Sequence, residues 1–430
     1  MGFSLPKIRR EQDAERLWAL CRQHGISRRD FLRLMAIGGT AAVLAACTTA
    51  ENGQTNGQIP ETGGTPAAEG EATATGEQPW AKDSAPFIIR GGNLETRLEN
   101  MRGWITPGEL WFVRNNAPAS PRIDAEGYRL QVEGDGVANP VEFSLDELRL
   151  MPQRSVPTAI ECAGNMRNLF DLIMGQTAEG GEWITGGVSN GEWTGVPLSY
   201  VLQLAQVNPD AGWVLPQGLD TEAPEGGHQK PITMEKAMDP DTIVALALNG
   251  QDIPIDNGYP VRLVVPGWVG STNVKWLGKL TVSREQPWVR NNTTSYVLIG
   301  PDWPAEQYAP AEGAPIHETV IKSALALPWD GELPAGPRVV RGFAWSPTAV
   351  VNRVEYSTDG GGTWNEARLT SPAVRYAWRS FEFDWDAPAG EQTIMTRATD
   401  EDGNTQPDSQ PFNEKGYLFN MVYPHPIRVQ

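Results

Sequence analysis

Cysteine is nearly absent from this chain, with three in 430 residues, at positions 21, 47 and 162. Cys21 and Cys47 belong to the N-terminal segment, so Cys162 is the one thiol in the part with a globular composition. No disulfide framework can form there, and an unpaired thiol is then an inert core residue, a nucleophile or a metal ligand. Histidine is scarce as well. His24, His228, His317 and His425 stand alone, without HxxxH, HxH or CxxC spacing, which disfavours zinc and c-type haem sites. No Gly-rich loop follows a strand and opens a helix, which argues against NAD, FAD and nucleoside triphosphate sites. The apolar stretch from Leu34 to Ala46 is too short to span a bilayer. Basic residues are outnumbered, and a formal charge of -18 argues against nucleic acid or anionic lipid as a partner.

What the N-terminus does contain is an address. Ser27-Arg28-Arg29-Asp30-Phe31-Leu32 reads as a twin-arginine export signal. Leu44-Ala45-Ala46-Cys47 reads as a lipoprotein processing site, with Cys47 as the lipidated first mature residue. The expectation is an extracytoplasmic protein, folded before export around a cofactor inserted in the cytoplasm and anchored to the membrane by lipid on Cys47. Residues 1–46 hold eight Lys/Arg and four Asp/Glu, so their removal takes the formal charge from -18 to -22. That acidity suits a small cationic electron carrier as partner, and equally suits plain solubility. Residues 47–81 are rich in Gly, Thr, Glu, Pro and Gln and read as a disordered tether.

The remaining length exceeds what one core organises, so two domains are expected. Residues 82–300 mix elements. Ser144-Leu145-Asp146-Glu147 has capping-box spacing and predicts a short helix, and Leu198, Val201, Leu202 and Ala205 mark a second. Strands are predicted at Thr242–Leu248 before the Asn249-Gly250 turn, at Pro260–Val265 and at Val274–Val282. After a connector over 301–315, residues 316–430 read as short strands between turns. Phe381, Phe383 and Trp385 alternate there with Glu382 and Asp384. The fold class expected is α+β, a mixed domain followed by an immunoglobulin-like β-sandwich.

Cys162 follows an extended run, Ser155 to Ile160, and leads directly into Ala163-Gly164-Asn165, a strand-to-turn transition that presents a side chain at a strand end. It therefore reads as a site rather than as core packing. A Cys nucleophile for acyl transfer would need a His base, and only His228 could serve. Cations and amides collect instead: Arg114-Asn115-Asn116, Arg167, Arg262 and Lys275. A soft thiolate among anion-binding groups suits a metal on an anionic organic cofactor and a small oxyanion substrate.

These segments resemble the sulfite oxidase family of molybdenum enzymes. The resemblance rests on Cys162-Ala163-Gly164-Asn165, Phe112-Val113-Arg114-Asn115, Trp193 to Leu198, and Gly258 to Gly267 followed by Val274-Lys275-Trp276-Leu277. In the C-terminal part, Asp359-Gly360-Gly361 with Trp364, Gln406-Pro407 and Gly416-Tyr417 with Asn420 resemble the family's dimerisation domain. The resemblance implies molybdenum on molybdopterin, with Cys162 as the only protein ligand to the metal. It implies cofactor contacts from Phe112, Arg114, Asn115, Asn116, Asp220, Asn257, Arg262, Asn273, Val274 and Lys275. It gives the substrate pocket to Arg114, Arg167, Trp183, Tyr296 and Lys415: cations for the oxyanion, Tyr296 beside the reactive centre, Trp183 as a wall.

Some positions depart from the family pattern. Asn116 and Asn257 stand where many relatives have His, Met166 replaces an arginine, and Lys415 stands where vertebrate enzymes carry Arg, a point charge in place of a fork. The activity implied is oxidation of sulfite or a related sulfur oxyanion to sulfate by oxygen-atom transfer. With no haem motif in the chain, the acceptor is expected to be a separate protein such as a c-type cytochrome. A homodimer is implied too. Two alternatives remain at this stage: another oxyanion, such as nitrate, on the same cofactor, or a lipid-anchored binding protein without catalysis.

Overall fold

The computed structural model describes residues 78–430; the export signal, Cys47 and nearly all of the expected tether lie outside the described residues. No helix among the described residues is long and apolar enough to cross a membrane. The folded body reaches back into the segment read as tether. Trp80 is buried against Phe87, Leu94 and Val113, and the Ala81 and Lys82 amides donate to the Asp256 carboxylate at 2.8–3.0 Å. An indole that finds an apolar socket overrides the polar composition around it.

Two sheets organise the first half. One runs in the order Gln251–Asp252, Ile243–Leu248, Val188–Pro197, Arg154–Glu161, with Arg262–Val264 also paired to Ile243–Leu248. The other runs Val141–Ser144, Arg129–Glu133, Leu277–Ser283, Trp213–Gly218, Ile232–Thr233, and its Arg129–Glu133/Leu277–Ser283 pair is parallel. Alternation sets which side faces in: Arg129–Glu133 reads exposed, buried, exposed, buried, exposed. Leu130, Val132, Val214, Leu280 and Val282 from the second sheet meet Val196, Val244 and Leu263 from the first in one core. The expected helices form but stay short. Leu145–Leu150 starts at Ser144 with a complete capping box, and Leu198–Leu204 buries Leu198, Val201 and Leu202. The first half is therefore more sheet than the α+β reading expected.

Most strand expectations land within a few residues. The exception is Val274–Val282, which begins only at Leu277. Trp276 adopts φ 49°, a left-handed conformation that no strand accommodates, so residues 273–276 form a loop. The loop end then carries Lys275 into the interior.

In the second half, Lys322–Leu325, Gly336–Trp345, Arg379–Ala387 and Arg368–Leu369 form one sheet. Gly331–Leu333, His425–Val429, Gly390–Asp400, Val351–Ser357 and Asn365–Glu366 form the other. Phe381, Phe383 and Trp385 pack with Val354, Ile394, Ala398 and Ile427 between them. The expected connector is more ordered than its composition suggested, since Val297–Leu298 pairs with Ala314–Pro315 across it.

The halves are joined by apolar and polar contacts together. Met166, Leu169, Phe170 and Val188 share a cluster with Phe343, Trp345, Trp378 and Phe419. Trp104 and Trp378 each donate an indole N–H to the other's carbonyl, at 2.8 and 2.7 Å. Glu161, the residue before Cys162, is buried and holds Lys322 Nζ at 2.6 Å, Trp345 Nε1 at 3.0 Å and Asn165 Nδ2 at 3.0 Å.

Candidate functional site

Cys162 lies where the Arg154–Glu161 strand ends and the chain turns before the helix Asn168–Met174. Its amide donates to Gly187 O at 2.8 Å and its carbonyl accepts from Asn165 N at 2.9 Å, which fixes the turn on the strand end. Met166 takes φ 70° to complete it. The thiol is free and faces a cleft. Phe112, Arg114, Asn116, Asp220, Asn257, Arg262, Asn273, Lys275 and Tyr296 line that cleft with it. A wider opening shares Arg114, Asn116, Cys162 and Tyr296 and adds Asn115, Arg167, Trp183 and Lys415. Every residue expected at the site lines one or the other except Val274. Its side chain is fully buried in the core of the first half, and its carbonyl accepts the Leu263 amide at 2.8 Å.

Buried cations dominate the inner cleft. Lys275 Nζ donates to Asn115 Oδ1 and, at 2.8 Å, to Asp256 O, and lies 4.3 Å from the Trp276 ring. Burial, then Arg262, pushes its pKa well below the ordinary lysine value, against the pull of Asp256 and Asp220. Arg262 donates through Nη1 to Asn257 O and through Nη2 to Asn273 O, at 2.9 and 2.8 Å. Burial lowers it to about 9, so it remains a cation at neutral pH. Arg114 is held above its ordinary value: burial opposes the charge, and Tyr296, Cys162 and Tyr417 outweigh it. Asn273 braces the wall, accepting from Val265 N and donating to Trp268 O and Val269 O.

Further contacts, some unforeseen in the sequence, complete the site. His228 Nε2 lies 2.7 Å from Ser271 O, a contact only a donor nitrogen can make, so Nδ1 accepts from Asn116 Nδ2 at 2.7 Å and Asn291 Nδ2 at 3.2 Å. Burial, with Arg114, Lys230 and Lys275 close by, lowers its pKa to about 4 against the Ser271 bond, so the ring is neutral at pH 7. The isolated histidine of the sequence thus orients Asn116. Tyr296, at φ 54°, stacks on Tyr417 with ring centroids 5.5 Å apart. Burial first, then Tyr296, raises Tyr417 to about 12. Behind Tyr296, Lys230 is fully buried, 5.0 Å from the ring, and Nζ has no hydrogen-bond partner.

Arg167 follows the turn and crosses to the second half. Nε donates to Lys415 O at 2.8 Å and Nη1 to Gly181 O at 3.0 Å, while the guanidinium lies 5.2 Å from the Tyr417 ring. Glycines make room for it. A Cβ at Gly164 would fall 2.5 Å from Nη2, and one at Gly416 2.5 Å from Cγ. Lys415 reaches the opening from the C-terminal segment, with Nζ 2.6 Å from Glu179 Oε2. That carboxylate partner was not anticipated; the Gly180-Gly181 pair beside it was the available signal.

The residues present fit an anionic, polar cofactor. Asn257 Oδ1, Ser271 Oγ and Arg262 Nε are buried on the cleft wall without partners. Such atoms are destabilising unless a bound group supplies hydrogen bonds. Arg114, Arg262 and Lys275 against Asp220 leave the wall net positive, and Cys162 offers the soft donor a thiophilic metal needs.

Comparison with known proteins agrees with this donor set. An oxidoreductase molybdopterin binding domain matches residues 117–289, and a Mo-co oxidoreductase dimerisation domain matches 314–430. Mitochondrial sulfite oxidase of Mus musculus is 36% identical over 344 residues, 76% of this chain and 62% of that protein. Sulfite oxidase of Gallus gallus is 35% identical over 321 residues, covering 71% of this chain and 69% of that protein. The sulfane dehydrogenase SoxCD of Paracoccus pantotrophus superposes with a TM-score of 0.67 at 29% identity, over 80% of this chain and 85% of that one. The chain spans about three-fifths of the length of the mammalian relatives. Its thiol at a strand end, its cationic cleft and its two matched domains place it in one group: the chain belongs to the sulfite oxidase family of molybdopterin oxidoreductases.

Proposed function

We propose that the protein oxidises sulfite, or a closely related sulfur oxyanion, to sulfate and passes the electrons to a separate carrier. The observation that carries this reading is the meeting of Cys162 with Arg114, Arg167 and Lys415 in one opening. Cys162 would hold the molybdenum, while Arg114, Asn116, Asp220, Asn257, Ser271 and Lys275 would hold the pterin and its phosphate. Bound there, the cofactor supplies two-electron oxygen-atom transfer, and the chain supplies binding and electrostatics. Arg114 and Arg167, fixed before substrate arrives, meet the anion without reorganisation. Trp183, 2% exposed and edge-on to Phe112 at 6.2 Å, keeps water from one side. Tyr296 lines the same cleft as Cys162 and offers a hydroxyl donor there.

The surrounding assignments belong to the same proposal. Residues 82–300 form the catalytic domain, 301–315 the connector and 316–430 an immunoglobulin-like sandwich that pairs two copies of the chain. The dimerisation-domain match supports that pairing. Twin-arginine export and lipid on Cys47 would hold the enzyme outside the cytoplasm. The acidity of the mature chain suits a basic acceptor, such as a c-type cytochrome. Purified protein should reduce an oxidised dye with sulfite and should not oxidise a reduced dye with nitrate; the reverse pattern would overturn the substrate assignment.

A further inference from the structure

We propose that Glu179 is a positioning residue that holds the Lys415 ammonium in a competing ion pair and thereby weakens the hold of the opening on its sulfate product. The inference rests on the oxyanion reading above. The wider opening is lined by Arg114, Arg167, Arg290 and Lys415, and by a single carboxylate, Glu179. A carboxylate in a mouth built for anions opposes binding unless its own contact has a purpose. Glu179 Oε2 sits 2.6 Å from Lys415 Nζ, with side chains 68% and 24% exposed. Backbone contacts bring the two together: Glu179 N donates to Glu414 O at 2.8 Å. Arg167 clamps both flanking segments, through Gly181 O at 3.0 Å and Lys415 O at 2.8 Å. The pair is therefore set by the fold and not by chance encounter on the surface.

At this exposure the pair is screened and exchangeable. An anion entering the mouth must compete with Glu179 for Lys415. Because sulfite and sulfate are both compact oxyanions, the competition weakens both similarly, as a uniform-binding term does. It raises the KM for substrate while preventing product from lingering in a mouth of four cations.

Sulfate binding to the holoenzyme, read by titration calorimetry, tests this without turnover. Glu179→Gln should bind sulfate about two- to fivefold tighter, the range of a partly exposed ion pair. The KM for sulfite should fall by a similar factor, and kcat should not rise. In a Lys415→Met background, Glu179→Gln should tighten sulfate binding clearly less, because only direct repulsion remains and there is no ammonium to mask. Unchanged or weaker sulfate binding in Glu179→Gln would overturn the proposal, as would a gain of the same size in the Lys415→Met background. If the wild type bound sulfate but failed to oxidise sulfite, the functional reading would fall and this inference would stand on the calorimetry alone.

Discussion

At the scale of the residue, charge held in apolar surroundings is what marks this site. Arg167 has two of its nitrogens engaged by carbonyls and its plane against Tyr417, so its position is fixed before any ligand binds. Arg167→Gln should raise the KM for sulfite roughly 10- to 150-fold, the loss of one charge-assisted contact, with molybdenum content unchanged. Steady-state kinetics with metal analysis would check it; an unchanged KM would remove Arg167 from the pocket. Lys230 presents the opposite case, a buried amine without a hydrogen-bond partner. Burial depresses its pKa to about 7, so the folded state disfavours the proton that the unfolded chain keeps up to the ordinary 10.5. Its destabilising effect is therefore full below about pH 7 and fades as the pH rises toward 10.5. Lys230→Met should raise the Tm by about 4 °C or more at pH 7, with the gain shrinking by pH 10, as thermal unfolding at both pH values would show.

At the scale of the element, the strand ending in Glu161-Cys162 was legible and its foundation was not. The extended run before Cys162 and the small residues after it announce a strand end locally, and the capping box at Ser144 does the same for its helix. The resemblance alone implies a contact from Val274; the fold puts its side chain in the core and Lys275 in the cleft, in a loop that ends at the left-handed Trp276. Glu161 carries no sequence mark of its role either, since Lys322 and Trp345 lie 161 and 184 positions away. Periodicity reports faces of one element, not partners across a fold. Lys322→Met strands a buried carboxylate beneath Cys162 and should destabilise the protein by about 3–5 kcal/mol. Adding Glu161→Gln should recover part of that loss. A denaturation midpoint indistinguishable from wild type in Lys322→Met would show that the pair does not join the halves.

At the scale of the whole molecule, the second half closes the site of the first. Lys415 and Tyr417 enter the opening from the C-terminal segment, and Leu418 N donates to Ala163 O at 3.0 Å, one residue past the thiol. The resemblance implied Lys415 in the pocket with residues of the first half, whereas its ion pair with Glu179 needed the fold. The export and lipidation proposed from the N-terminus predict that Cys47→Ala blocks lipid attachment and releases the protein from membranes, and that Arg28→Lys with Arg29→Lys leaves folded protein in the cytoplasm. Fractionation would check both, and membrane association of Cys47→Ala that resists all but detergent would argue for another anchor. The central claim is that Cys162 holds molybdenum at a working centre. Molybdenum per chain, measured together with sulfite turnover on protein exported from molybdate-replete cells, tests it most directly. The account predicts about one molybdenum per wild-type chain and, in a folded Cys162→Ser protein, less than about a tenth of the wild-type turnover, a barrier increase above ~1.4 kcal/mol. Wild-type protein without molybdenum, or Cys162→Ser with its turnover intact, would contradict it.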